Sequence, residues 1–162
     1  MSEARAGELT GREAAGQAVI QIIGRVAVPI ALPLSELRRM DHIDIADMPL
    51  RCGSGEPKGR TGHLRGVLLS DIIGQAEVVA PKHNDTKKMI IAVTAADGYK
   101  AVFSWQELFN SPNGDGVIVI LEKDARPLYP NYGGADLFSV HDYLSGPRYV
   151  RNLTTIEIVI IG

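Results

Sequence analysis

The sole cysteine of this chain, Cys52, is its one soft, nucleophilic, metal-binding side chain. It sits in Arg51-Cys52-Gly53-Ser54-Gly55, and the basic run continues through Lys58, Arg60, His63 and Arg65. From Arg51 to Arg65 the fixed positive charges are Arg51, Lys58, Arg60 and Arg65, against Glu56 alone. Glycines in such a segment let backbone N–H groups approach a ligand closely. Guanidinium and ammonium groups beside them suit an anion such as a phosphate. A thiolate next to Arg51 is stabilised by the positive charge and can ligate a soft metal. The same composition also describes a solvated basic loop around a small buried thiol, and both readings stay open at this point.

A second cluster, Gly146-Pro147-Arg148-Tyr149-Val150-Arg151-Asn152, precedes the last apolar run. Gly146-Pro147 makes a turn, and Arg148 and Arg151, three apart, could reach one anion or flank a strand and face water. The spatial expectation is that both arginine-bearing turns converge on Cys52 to form an electropositive hollow, with Tyr129, Tyr132 and Tyr149 flanking it. The histidines His42, His63, His83 and His141 have neither zinc spacing nor that of a catalytic triad. A lone cysteine excludes an intrachain disulfide framework, a Cys-rich zinc site and an iron–sulfur cluster held by this chain alone.

The elements that must position these residues are mostly strands. Residues 1–17 read as a loose arm and 18–162 as a single domain. Val19 to Ile23 is β-rich, Val26 to Leu32 follows after Gly24, and a short helix is expected around Ser35 to Met40. His42 to Leu50 reads as a strand feeding a loop over Gly53 to Gly62, where four glycines and Pro57 fall. Val67 to Ile73 supports a short amphipathic helix ended by Gly74, and Lys82 to Lys88 is a polar surface connection. Met89 to Val93 and Tyr99 to Phe103 are strands joined at Ala96-Asp97-Gly98. Ser104-Trp105-Gln106-Glu107 is a capping box, and Trp105 and Phe109 share the face of the helix it starts. Val117 to Leu121 fits a buried strand turned back at Lys123 to Arg126, and Leu153 to Ile161 closes the chain with alternation. The fold class is α+β, strand-rich with short helices.

Composition bounds the partners. The 162 residues carry 45% hydrophobic and 22% charged side chains, as expected for a globular chain with a core. Lys plus Arg is 17 and Asp plus Glu is 19, a formal net charge of -2. That balance, without an aromatic-rich basic surface, speaks against nucleic acid as a partner. No apolar run is long enough to span a bilayer, which takes about 20 residues. The first residues lack the apolar centre of a secretory signal. The expected compartment is the cytoplasm, or the periplasm if an export signal has been removed.

The two clusters and the strand pattern between them resemble the molybdopterin-binding domain of the sulfite oxidase family, from about Ile30 to Ile160. Leu34-Ser35-Glu36-Leu37 resembles the family's opening helix and Pro49-Leu50-Arg51-Cys52 its cysteine-bearing strand end. Gly66 to Ile73 is similar to the helix after its active-site loop, Ala96-Asp97-Gly98-Tyr99 to its hairpin, and Ile120 to Leu128 to its strand–turn–strand. The most specific piece is Gly146 to Leu153 followed by Ile156-Glu157-Ile158. The resemblance implies a sulfite-oxidase-like fold and an oxidoreductase in which molybdenum is held by a pterin dithiolene and by Cys52. Arg51 and Cys52 would be catalytic, and Gly53, Ser54, His63, Arg65, Arg148 and Arg151 would line the cofactor or a small anionic substrate. A redox protein partner would exchange electrons. Family members also carry a stretch resembling His-Gly-x-Pro-Leu-Arg where this chain has Gly133-Gly134-Ala135-Asp136-Leu137-Phe138. That departure supports the alternative, a cofactor-free binding module that takes an anionic ligand or a protein partner in the same basic cleft.

Overall fold

The computed structural model describes residues 18–130 and 133–162. The expected arm over residues 1–17, and Tyr132, lie outside the described residues. Among the described residues two five-stranded sheets dominate, with three short α-helices, so the architecture is α+β and strand-rich. The first sheet runs β2 (Ile30–Pro33), β1 (Val19–Gly24), β12 (Leu153–Ile160), β7 (Met89–Ala95) and β8 (Lys100–Ser104). Only the β1–β12 pair is parallel; the others are antiparallel. Alternation in β7 puts Met89, Ile91, Val93 and Ala95 on the core face, and Ile156 and Ile158 of β12 join them. One face is packed and the other is wetter, as strict alternation demands.

The second sheet is centred on β9 (Val117–Lys123), paired with β6 (Leu64–Leu68) and through it with β3 (Ile43–Ile45). The other edge of β9 carries β10 (Arg126–Pro127) and then β11 (Asp136–Ser139). Val117 to Leu121 is buried without a break because β9, at the centre of this sheet, is covered on both sides. Val117, Val119 and Leu121 meet the core shared with the first sheet, whereas Ile118 and Ile120 meet Leu64, Phe138, Leu50 and Tyr149.

A separate hairpin, β4 (Pro49–Arg51) with β5 (Pro57–Arg60), carries the cysteine. The helices are α1 (Leu34–Leu37), α2 (Leu69–Ile73) and α3 (Trp105–Phe109). The N-cap half of the capping box holds, with the Glu107 N–H donating to Ser104 Oγ at 2.9 Å, while the Glu107 carboxylate accepts from Arg148 and Asn113. Trp105 stacks on Phe109 with 4.2 Å between ring centroids.

Several sequence expectations are corrected. Gly53 to Gly62 is not loop throughout, since residues 57–60 pair with β4. Val67 and Leu68 finish a strand, and the helix starts only at Leu69. His42 to Leu50 divides into β3 and β4, and Val26 to Leu32 gives a strand only from Ile30. Strand β11 was not anticipated, because Asp136 and Ser139 at its ends hide a fully buried segment behind polar residues.

Candidate functional site

Cys52 follows the last residue of β4, where the chain makes a tight turn. Its N–H donates to the Glu56 carbonyl at 3.0 Å, and the Gly55 N–H donates to the Cys52 carbonyl at 2.9 Å. Gly55 sits at φ +88, a conformation that L side chains resist. The long connection between β11 and β12 docks against this turn. Arg51 N–H donates to Ser145 Oγ at 3.0 Å, and Gly146 N–H donates to the Arg51 carbonyl at 2.7 Å. A Cβ at Gly146 would lie 2.9 Å from the Arg51 carbonyl oxygen and 3.1 Å from Cys52 Cα. The missing side chain is therefore what allows the second cluster to reach the first.

The result is a hollow of about 330 Å³ lined by Arg51, Cys52, Gly53, Lys58, Tyr99, Gly146, Pro147, Tyr149 and Arg151, with Leu50 as apolar floor. A second, adjoining hollow of about 250 Å³ shares Tyr99, Gly146, Tyr149 and Arg151 with it. The β7–β8 turn delivers Tyr99, whose hydroxyl donates to the Pro147 carbonyl and so ties that turn to the docked loop. The first hollow has three cationic side chains and no carboxylate in its lining. Among the described residues none of these three cations is ion-paired.

The thiol is half-buried at this hollow, with Sγ hydrogen-bonded to Ser54 Oγ at 2.8 Å. That hydroxyl is the main reason the thiol is held below its ordinary pKa; the Ser54 backbone and the charge of Lys58 act in the same direction, against partial desolvation. Arg51, the stabiliser expected from adjacency, instead donates to the Gly55 carbonyl at 3.2 Å and braces the turn.

Of the residues singled out by sequence, the structure brings together Arg51, Cys52, Gly53 and Arg151, with Ser54 touching the thiol. It does not bring Arg148, His63 or Arg65 to that lining. Arg148 lies over the Phe103 ring at 4.2 Å and donates to Asp142 and Glu107, with nitrogen–oxygen distances of 2.7 to 2.9 Å. Its remaining contact is the Val102 carbonyl on the outer edge of β8. Those acceptors use up its fork of donors, so the i, i+3 arginine pair splits between a clamp and a cleft. His63 Nε2 is 3.3 Å from Asp44, and Arg65 stands across from Asp44 and Glu122 on β6, outside the hollow. Tyr99 and Lys58 carry more of the site than their sequence context suggested. The Asp97-Gly98 turn that fixes Tyr99 was the legible signal.

Asp136 is 4% exposed and fully engaged. Tyr129 Oη and Asn152 N–H donate to its Oδ1 at 2.6 and 2.8 Å, and Tyr149 Oη donates to Oδ2 at 3.0 Å. Burial, followed by the nearby Asp136 charge, pushes the Tyr149 phenol well above its ordinary pKa.

The donor set restricts what could be held here. Among the described residues no group of three or more His, Cys, Asp or Glu side chains could hold a metal ion. A metal that arrives in its own chelate needs only one protein ligand, and a single activated thiol facing a cationic hollow meets that need. A chelate bearing phosphate would find Arg151 and Lys58 without an ion pair among the described residues. At the level of donor chemistry the residues fit such a group. Among the described residues no helix is long and apolar enough to cross a membrane.

No protein-family model and no curated protein sequence matches the chain. Among solved structures, the sulfane dehydrogenase SoxCD from Paracoccus pantotrophus is similar in fold, with a TM-score of 0.61 at 18% sequence identity. The likeness covers 86% of this chain and only 37% of that one. At that identity the shared property is the fold, which part of a sulfane dehydrogenase also has.

Proposed function

We propose that this protein is a molybdopterin-binding, oxidoreductase-like protein with a sulfite-oxidase-like fold, acting on a small anionic substrate beside Cys52. The observation that carries the reading is the hollow itself: an activated thiol bordered by Arg51, Lys58 and Arg151, with no carboxylate in its lining. The fold likeness to a sulfane dehydrogenase and the order of motifs along the sequence add support. Cys52 would ligate the metal through its thiolate, and Ser54 would hold that thiolate by donating its hydroxyl hydrogen. Arg151 and Lys58 would take the anionic groups, and Tyr99 and Tyr149 would wall the cleft. When bound, the metal–pterin group supplies two-electron redox chemistry at an oxo-metal centre. Arg51, braced across the turn, would fix the backbone from which the thiol projects. A redox protein partner would accept the electrons.

One observation favours the second reading, a cofactor-free module for an anionic ligand or a protein partner. Arg148, a cation the resemblance places at the phosphate, is committed to Asp142 and Glu107, which leaves one fewer free charge for a large polyanion. Protein purified from a host that makes molybdopterin separates the two. Oxidative release of a fluorescent pterin from washed protein is the expected result. Absence of pterin, together with saturable binding of an unrelated anion, would replace the first reading by the second.

A further inference from the structure

The buried carboxylate of Asp136 has no cation within ion-pairing distance among the described residues. Burying a charge without a counter-charge is costly unless donors surround it. Here the donors are two tyrosine hydroxyls and one backbone N–H, and two of the three lie on the residues that bracket Arg151. Tyr149 presents its ring face to the Arg151 guanidinium at 5.1 Å, a cation–π arrangement. Asn152 is held at φ +52, sparsely populated for a residue other than glycine, with its N–H on Asp136 and its carbonyl accepting from Ala96 N–H at 3.0 Å. The ring beneath the guanidinium and the backbone beyond its Cα are thus both fastened to one carboxylate. Arg151 lines both hollows and so stands at the seam between them.

We propose that Asp136 is a positioning residue: through Tyr149 and Asn152 it holds the Arg151 guanidinium at the seam of the cleft, where that group receives an oxyanion of the ligand. This rests on the reading of the cleft as an anion site and adds the device that orients its cation. The neutral phenol of Tyr149 suits the role, since it donates to the carboxylate while offering an uncharged ring to the arginine.

Inorganic pyrophosphate is the probe, titrated into the full chain by calorimetry at a temperature where every variant is folded, with the Arg151 side-chain N–H followed by NMR in the proteins that keep Arg151. Wild-type protein should bind saturably. Asp136→Asn keeps the shape but cannot accept from all three donors. Its affinity should fall roughly tenfold, the scale of one charge-assisted hydrogen bond. Arg151→Met should fall by about as much, and the double variant no further, because both changes remove one interaction. A purely structural Asp136 would lower the melting temperature, leave pyrophosphate affinity unchanged and add independently to Arg151→Met; that result overturns the proposal. If Asp136→Asn does not fold, Tyr149→Phe keeps the ring and cuts its link to Asp136. It should weaken binding in the Arg151 background of wild type and not in Arg151→Met, and equal losses in both would again overturn the inference. Wild-type protein that shows no binding would remove the anion site and this inference with it, a failure distinct from the other two.

Discussion

Ser54 matters more to the thiol than the arginine beside it in sequence. Its hydroxyl is hydrogen-bonded to the sulfur and is the largest influence lowering the thiol pKa. Ser54→Ala removes that donor, so the thiol pKa rises and the thiolate fraction below it shrinks. Alkylation of Cys52 by iodoacetamide at a fixed pH below the wild-type midpoint should slow by roughly threefold, since the loss of thiolate outweighs the gain in intrinsic nucleophilicity. At alkaline pH, where both proteins are ionised, the slowing should vanish. An unchanged rate across the whole pH range would show that Ser54 does not set the thiol's acidity. At this scale the sequence was legible in part. Cys52, Gly53, Ser54 and Arg51 were legible because they are contiguous and one turn holds them. Arg148 and Arg151 were not separable, because three residues' spacing says nothing about which of them meets Asp142 and Glu107.

At the scale of elements, two contacts bring distant segments together. Arg148 ties the β11–β12 connection to α3 and to the edge of β8 through Glu107, Asp142 and the Val102 carbonyl. Arg148→Met leaves two part-buried carboxylates unpaired and should cost about 2 kcal/mol, less than for a fully buried pair because water reaches the site. A thermal melt should show a drop of roughly 4 to 8 °C. Cys52 reactivity in the folded variant should stay near wild type, since the clamp lies outside the hollow. Gly146→Ala acts the other way. Its methyl meets the Arg51 carbonyl, so the docked loop must lift from the cysteine turn. The expected outcome is a folded protein whose cleft has lost anion affinity, checked by melting and by pyrophosphate titration. Strands with clean alternation, such as β7 and β12, and the capped helix α3 were legible because burial and periodicity agree. Strand β11 was not, because its polar residues are satisfied internally, by Tyr129, Tyr149 and Asn152 at Asp136 and by Asp142 at Ser139. Strand β5 was hidden by its glycine-rich context, since pairing with β4 overrides a weak local preference.

Taken whole, the molecule places its cleft where three separate segments meet: the β4–β5 hairpin, the β7–β8 turn and the β11–β12 connection. None of the three forms a site alone. Strand β9 is buried on both faces over Val117 to Leu121, and with β11 it gives this meeting point a backing in which Tyr149 packs against Ile118, Ile120 and Phe138. That arrangement explains why the order of motifs along the sequence was informative while no single motif was: the site exists only once the sheets have assembled. The fold is shared with part of a sulfane dehydrogenase, and this chain spans 37% of that longer protein. The account therefore turns on what the cleft holds. The direct measurement is molybdenum per chain, by mass spectrometry of metals, for wild type, Cys52→Ala and Arg148→Met purified from one molybdopterin-producing host. The account predicts near-stoichiometric metal in wild type, none above background in Cys52→Ala, and loading close to wild type in folded Arg148→Met. Wild-type protein free of molybdenum, or Cys52→Ala loaded as fully as wild type, would contradict it.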